Sequence, residues 1–240
     1  MMLLGHRGFR GMLENTMPAF RRAMRYAHGV ELDVRLTRDG RVVTHHDPGF
    51  TRGGDYYLIG DLTLLELRRL HPLGNLIPEL SRVLREFPGA AFNVDVKEVE
   101  VIGAALNAVE RFGMMERTVF SSESPGIVRM LIRECPDCRV GFSIVGYSSI
   151  VHLPTLDGLY SLHVPLDALK YIGYSNLISL LGAFRRRGLK IYLWNYSMDE
   201  SLWVPRLLGS VDAIISDDPA LLRKSFYAKG IGIRGDADVE

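Results

Sequence analysis

Val30-Glu31-Leu32-Asp33-Val34-Arg35-Leu36 is the stretch that decides the fold. Apolar and charged residues alternate along it, the period-2 signature of a strand, so Glu31 and Asp33 leave the same face. Val30, Leu32 and Val34 leave the other face and need a packed layer against them, which makes the strand central. Two carboxylates side by side on the inner face of a central strand repel each other and desolvate poorly unless a cation compensates them. Oxygen-only donors suit Mg²⁺ or Ca²⁺ better than zinc. The plainer alternative, solvated carboxylates on an exposed strand, fits the apolar flank poorly.

Working outward, Leu3-Leu4 reads as a short buried strand that enters a loop from Gly5 to Gly11. Asn15-Thr16-Met17-Pro18 reads as a helix start, with a capping side chain and proline inside the first turn. Asp39-Gly40 turns the central strand into a hairpin with residues 41–44. Thr51-Arg52-Gly53-Gly54-Asp55 is expected to be loop. Further strands are expected near residues 90–96, 118–120, 139–145, 159–164, 190–196 and 213–215. Between them fall helical patterns near 61–70, 78–87, 99–112, 124–134, 176–187 and 199–208, with a last helix from Pro219. A Tyr/Ser-rich loop precedes Leu159, and the tail after Gly230 reads as frayed, its Arg234-Gly235-Asp236 triplet a chance occurrence.

The strands are short apolar runs, as in parallel sheets buried on both faces. About eight strand–helix units and no linker predict one α/β domain over residues 1–240, a (β/α)₈ TIM barrel with a short insertion after the second strand. A doubly wound open sheet is the alternative. The barrel is favoured because reactive residues collect where strands end, and in a barrel all those ends open on one mouth.

Asp95 and Lys97 repeat the two-apart spacing, so Asp95 can supply a third metal oxygen and Lys97 can face a phosphate, or the two can form an interior ion pair. His6 and His46 lie near strand ends beside loop residues and titrate near neutrality, as a general base and a general acid must. His45 alternates with His46 and points the other way. Arg7 offers a planar fork for phosphate oxygens. Glu14 either orients Arg7 or favours the helix dipole. Trp194 is a hydrophobic wall for a small alcohol or plain core. His163 and Asp217 are mouth candidates without an identifiable partner.

Bulk properties narrow the field. Lys plus Arg number 29 against 28 Asp plus Glu, so no global field draws the protein to nucleic acid or acidic lipid. No apolar run is long enough for a stable membrane insertion, and Met1-Met2-Leu3-Leu4 is too short for a signal-peptide core, so a soluble cytoplasmic protein is expected. Cys135 and Cys138 lack the further ligands of a zinc site and read as two loop thiols, with a local disulfide as the alternative.

Gly5-His6-Arg7-Gly8, Glu14-Asn15-Thr16, Glu31-Leu32-Asp33-Val34, Thr37-Arg38-Asp39-Gly40, His46-Asp47-Pro48, Asn93-Val94-Asp95-Val96-Lys97, Trp194-Asn195 and Ile215-Ser216-Asp217-Asp218-Pro219 together resemble the glycerophosphodiester phosphodiesterase family. The resemblance spans nearly the whole chain, and several motifs in order are far more specific than any one. It implies a TIM barrel that hydrolyses small or lipid-derived glycerophosphodiesters to glycerol phosphate and an alcohol, using one divalent cation, Mg²⁺ or Ca²⁺. It implies Glu31, Asp33 and a third carboxylate, here Asp95, as ligands. His6 would take a proton from the attacking hydroxyl and His46 would give one to the leaving alkoxide, while the cation and Arg7 stabilise phosphoryl charge. Two departures stand out: Asp95 occupies a position where the family commonly has Glu, and the segment between His46 and Pro78 is compact. Rival readings are a non-catalytic binder of phosphorylated headgroups and a related barrel phospholipase acting on sphingolipid or inositol lipid.

Overall fold

A computed structural model describes residues 1–232. The chain opens with β1 (Met2–Gly5), α1 (Met17–Ala23) and β2 (Gly29–Leu36). An excursion follows: β3 (Val42–Thr44), β4 (Gly49–Arg52), β5 (Asp55–Leu58), α2 (Leu64–Leu70) and α3 (Leu80–Glu86). The alternation then resumes with β6 (Ala91–Val96), α4 (Ile102–Arg111), β7 (Thr118–Ser122), α5 (Pro125–Glu134) and β8 (Arg139–Ser143). After α6 (Tyr147–Ile150) come β9 (Ser161–Pro165), α7 (Ala168–Ile172), α8 (Tyr174–Arg186), β10 (Lys190–Trp194), α9 (Glu200–Leu207), β11 (Ala213–Ser216) and α10 (Pro219–Ala228).

Eight parallel strands run round a ring in the order β1, β2, β6, β7, β8, β9, β10, β11, and β1 pairs with both β2 and β11. That closure makes the architecture a TIM barrel and excludes the open sheet. β3 adds to β2 in antiparallel register, Val34 opposite Thr44, as the Asp39-Gly40 turn predicts.

The strand pleat sorts side chains into two layers. Leu32 and Val34 of β2, Val94 and Val96 of β6 and Phe142 of β8 face outward into the large core shared with the helices. Inside the ring a smaller apolar plug, including Leu4, Val119, Tyr192 and Ile215, fills the floor. Above it the inward positions turn polar: Asp33 lies beside Asp95, and Asp95 beside Ser121. Gly141 makes room for the His163 ring, since a Cβ there would stand 2.5 Å from its Nε2.

Four local expectations need correction. Residues 51–55 are not a loop: β4 and β5 form a hairpin, because Gly53 and Gly54 both adopt positive φ (61° and 94°) as a tight turn requires. This hairpin and α2 cover a separate small core that includes Val43, Phe50, Ile59 and Leu67. The Tyr/Ser-rich loop contains α6, and the unforeseen α7 follows β9. Asn15 does not cap α1, whose N-cap is Thr16 without a side-chain cap bond. Cys135 and Cys138 are not loop thiols but a disulfide; the turn bond from Cys138 N to Cys135 O brings their Cα atoms to 5.3 Å, within bonding range. The Arg234-Gly235-Asp236 triplet lies outside the described residues.

Candidate active site

At the mouth, the ends of the strands surround a pocket of about 350 Å³, and all eight residues singled out from the sequence as catalytic, phosphate-facing or metal-binding line it. The loop after β1 carries the first of them under constraint. Arg7 and Asn15 hold left-handed backbone (φ 51° and 56°), rare for residues with a side chain and common at functional sites. Gly8, at φ 80°, packs so closely on Ala19 that a Cβ would come within 2.7 Å of its backbone.

The Arg7 backbone N–H donates to Glu31 Oε2 at 2.9 Å, and its guanidinium reaches Glu14 Oε1 at 2.6 Å. Glu14 therefore orients Arg7. Asn15 serves Asp33 instead of the helix: its Nδ2 donates to Asp33 Oδ2 at 2.7 Å, and its Oδ1 accepts from the Asp33 backbone N–H at 3.2 Å. Lys97 bridges the two aspartates, 2.9 Å from Asp33 Oδ1 and 2.7 Å from Asp95 Oδ2. The interior ion pair is thus the form this structure adopts, with Lys97 still lining the pocket.

Burial and the Asp33 charge push Glu31 up to about 8. Burial alone would raise Asp33 too, but the Lys97 and Arg7 cations outweigh it and hold that carboxyl well below its ordinary range. Glu31 is thus the acid with least compensation. Among the described residues, no three carboxylate, imidazole or thiol groups are arranged to hold a metal ion. The donors nevertheless fit a hard cation in kind: three buried carboxylates on adjacent strands line one pocket, and burial, together with the Asp33 charge, disfavours the ionised form of one of them, Glu31.

Two of the pocket histidines, His6 and His46, are each tethered through Nδ1 to an aspartate. His6 Nδ1 lies 2.5 Å from Asp217 Oδ1, and His46 Nδ1 lies 2.7 Å from Asp47 Oδ1. A carboxylate only accepts, so Nδ1 carries the proton and Nε2 is left as the working atom of each ring. His6 Nε2 is 3.9 Å from Glu31 Oε2. Burial pulls the His6 pKa down, but the Asp217 bond and the Glu31 charge outweigh it and leave it raised. His45 turns away, its Nδ1 on Asp47 O and its ring edge-on to His71.

Sequence reasoning left Asp217 without a partner because its partner is 211 positions away. Behind Asp217 stands Glu200 at the start of α9, which accepts from the Asp217 backbone N–H at 3.0 Å and from the Ser216 hydroxyl. Burial pushes Glu200 up to about 7. His163 is stacked parallel on Tyr192 with ring centres 4.9 Å apart and is driven down to about 3 by burial, so it is a neutral wall. Trp194 stands edge-on to His6 and against Tyr196. Arg7 Nε, Asn93 Oδ1 and Trp194 Nε1 are the buried side-chain polar atoms without a hydrogen-bond partner among the described residues, although Arg7 Nε is ion-paired 3.1 Å from Asp33 Oδ2, and all three residues line this pocket. Such atoms are rare in folded proteins and mark a place where a polar ligand can be met.

Residues 6–221 match the family described as glycerophosphoryl diester phosphodiesterases. A glycerophosphodiester phosphodiesterase of Caldanaerobacter subterraneus is 30% identical over 243 residues, covering 92% of this chain and 96% of the relative. A crystal structure of the Thermotoga maritima glycerophosphodiester phosphodiesterase superposes with a TM-score of 0.76 at 28% identity, covering 93% of this chain and 97% of that one. A phosphodiesterase of Oleispira antarctica, solved with the product sn-glycerol-3-phosphate, shares the fold at a TM-score of 0.75 and 22% identity, covering 95% and 97%. The closed barrel, the polar mouth and these likenesses agree, and the chain belongs to the glycerophosphoryl diester phosphodiesterase family, whose members hydrolyse glycerophosphodiesters.

Proposed function

We propose that this chain hydrolyses glycerophosphodiesters to glycerol phosphate and an alcohol by acid–base catalysis with two histidines, assisted by one divalent cation. The observation that carries the reading is the paired tethering of His6 and His46, each held at Nδ1 by an aspartate while both rings line one pocket. With Nδ1 protonated, the bare Nε2 of His6 accepts the proton of the attacking hydroxyl. The same atom of His46, when protonated, donates to the departing alkoxide. Asp217, part-buried against His6, stabilises the imidazolium that forms, and Asp47 does so for His46.

The Arg7 guanidinium and the Lys97 ammonium supply positive charge for the phosphoryl oxygens. Trp194 offers its unpaired Nε1–H and an apolar face to the substrate. Glu31, Asp33 and Asp95 would hold the cation, Mg²⁺ or Ca²⁺. When bound, it neutralises charge that develops on phosphorus-bound oxygen. Asp95 is fixed by the Ser121 hydroxyl, which donates to its Oδ1 at 2.6 Å, so its shorter side chain is already oriented.

The substrate is a small or lipid-derived diester met from solution or at a lipid surface; no helix among the described residues is long and apolar enough to cross a membrane. The deciding assay measures glycerol phosphate release from glycerophosphocholine, first with a chelator and then with Mg²⁺ or Ca²⁺ restored. Release that depends on the added cation is expected. No cation-dependent release from several diesters would leave the reading without support.

A further inference from the structure

His6 and His46 are secured in different ways. His6 hangs on Asp217, which follows another strand 211 positions away. His46 hangs on Asp47, its neighbour in sequence, whose side chain is largely exposed. A tether to the next residue travels with the loop, so it sets the tautomer of the ring without setting its place at the pocket. That place has to be set from outside the loop.

The backbone on either side is pinned. The His45 N–H donates to Asp33 O at 3.1 Å, and the Ile59 N–H donates to Pro48 O at 2.9 Å. Between these points the His46 carbonyl takes two donors from one side chain, Arg35 Nη2 at 2.7 Å and Arg35 Nε at 3.0 Å. Arg35 is on β2, two residues beyond Asp33 and therefore on the same face of the strand. Its side chain is 10% exposed, a costly place for a charge unless it is paired. The pair is Glu98, just past the end of β6. Arg35 Nη1 donates to Glu98 Oε2 at 2.8 Å, and Glu98 Oε1 accepts from the Leu36 N–H at 2.7 Å. With all three nitrogens engaged, the planar guanidinium is fixed in both position and direction. Arg35 does not line the catalytic pocket, so its action on the chemistry runs through His46.

We infer that Arg35, oriented by Glu98, is a positioning residue for His46, and that its two-pronged hold on the His46 carbonyl aims the ring at the leaving oxygen. The inference rests on the reading of His46 as general acid. In that step the P–O bond to the alcohol breaks, its electron pair stays on the alcohol oxygen, and His46 Nε2 gives that oxygen its proton. The need for the proton depends on the alcohol. A choline alkoxide is strongly basic and requires it, whereas a para-nitrophenolate spreads the charge over its ring and leaves without it. A positioning role therefore shows as a loss confined to the poor leaving group. A merely structural role weakens both substrates alike.

The test measures kcat and KM for glycerophosphocholine and for the para-nitrophenyl diester of glycerol phosphate, with Mg²⁺ or Ca²⁺ added. Arg35→Lys keeps a charge beside Glu98, but an ammonium lacks the fork that holds carbonyl and carboxylate together. Glu98→Gln has one oxygen where Glu98 uses two, so it loosens Arg35 without altering it. Each variant is expected to lower kcat for the choline diester at least about tenfold relative to the nitrophenyl diester, with KM little changed. That is part of the roughly hundredfold fall in the same ratio expected for His46→Ala, which removes the acid itself. A wild-type ratio in either folded variant, or equal losses on both substrates, overturns the inference alone. Loss of the fold in both variants would assign the Arg35–Glu98 pair to stability and overturn it too. An unchanged ratio in His46→Ala overturns the general-acid reading and the inference with it. Failure of the unaltered protein to hydrolyse either diester overturns the phosphodiesterase reading as a whole.

Discussion

Glu200→Gln should flatten the dependence of stability on pH. Glu200 is pushed up to about 7 by burial, against an ordinary value of 4.5, so the folded protein holds its proton more tightly than the unfolded chain does. For an acid shifted upward, stability is highest below the unfolded value and falls as pH rises through the folded one. Between pH 5 and pH 8 the loss is about 2.5 kcal/mol, obtained by integrating the difference in bound protons over that window. In a chain of this size that corresponds to a drop of about 5–10 °C in melting temperature. Glutamine has no such proton to lose and can keep both contacts: its carbonyl accepts from the Asp217 N–H, and its amide donates to the Ser216 hydroxyl once that rotates. Denaturant unfolding of both proteins at pH 5 and pH 8 is the assay. Groups common to the two cancel, so the difference should move toward the variant by about 2.5 kcal/mol as pH rises. A difference that stays constant across the window would show that Glu200 is not a buried acid with a raised pKa.

His46→Ala should lower turnover at least about a hundredfold, with melting unchanged because the ring is part-exposed; near-normal turnover would remove His46 from the chemistry. Asp217→Asn should lower kcat by about a hundredfold or more while KM moves little, since the amide no longer enforces the His6 tautomer; an equal kcat would show that the tether is only structural. Gly141→Ala should destabilise by about 1–3 kcal/mol, because a Cβ 2.5 Å from His163 must displace a ring already stacked on Tyr192. Unaltered unfolding would mean that this layer has slack.

The barrel and most of its mouth were legible in the sequence because their signals are local. The two-residue spacing of Glu31 with Asp33, and of Asp95 with Lys97, fixes which face each side chain takes, and strand order then brings the pairs together. What stayed hidden depends on contacts between distant residues or on backbone detail. Asp217 holds His6 across 211 positions, and Glu200 steadies Asp217 through its backbone. Asn15 has the composition of a helix cap, but its left-handed backbone turns it toward Asp33. Lys97 was expected to face either phosphate or acid, and in the fold it sits between two aspartates. The β4–β5 hairpin went unseen because four-residue strands around Gly53-Gly54 leave little periodicity to read. Nothing in Cys-Pro-Asp-Cys distinguishes paired from free thiols until the turn geometry is known.

The ring is fastened unevenly. β2 meets β6 through six residue pairs, but it meets β1 through two, Leu4 with Gly29 and Gly5 with Val30. His6 hangs from one side of that shallow joint and Glu31 from the other. Segments held by few ladder contacts open first as temperature rises. β10 and β11 also share only two pairs, so heating should loosen the ring at both joints, parting His6 from Glu31, and activity should fade before the barrel melts.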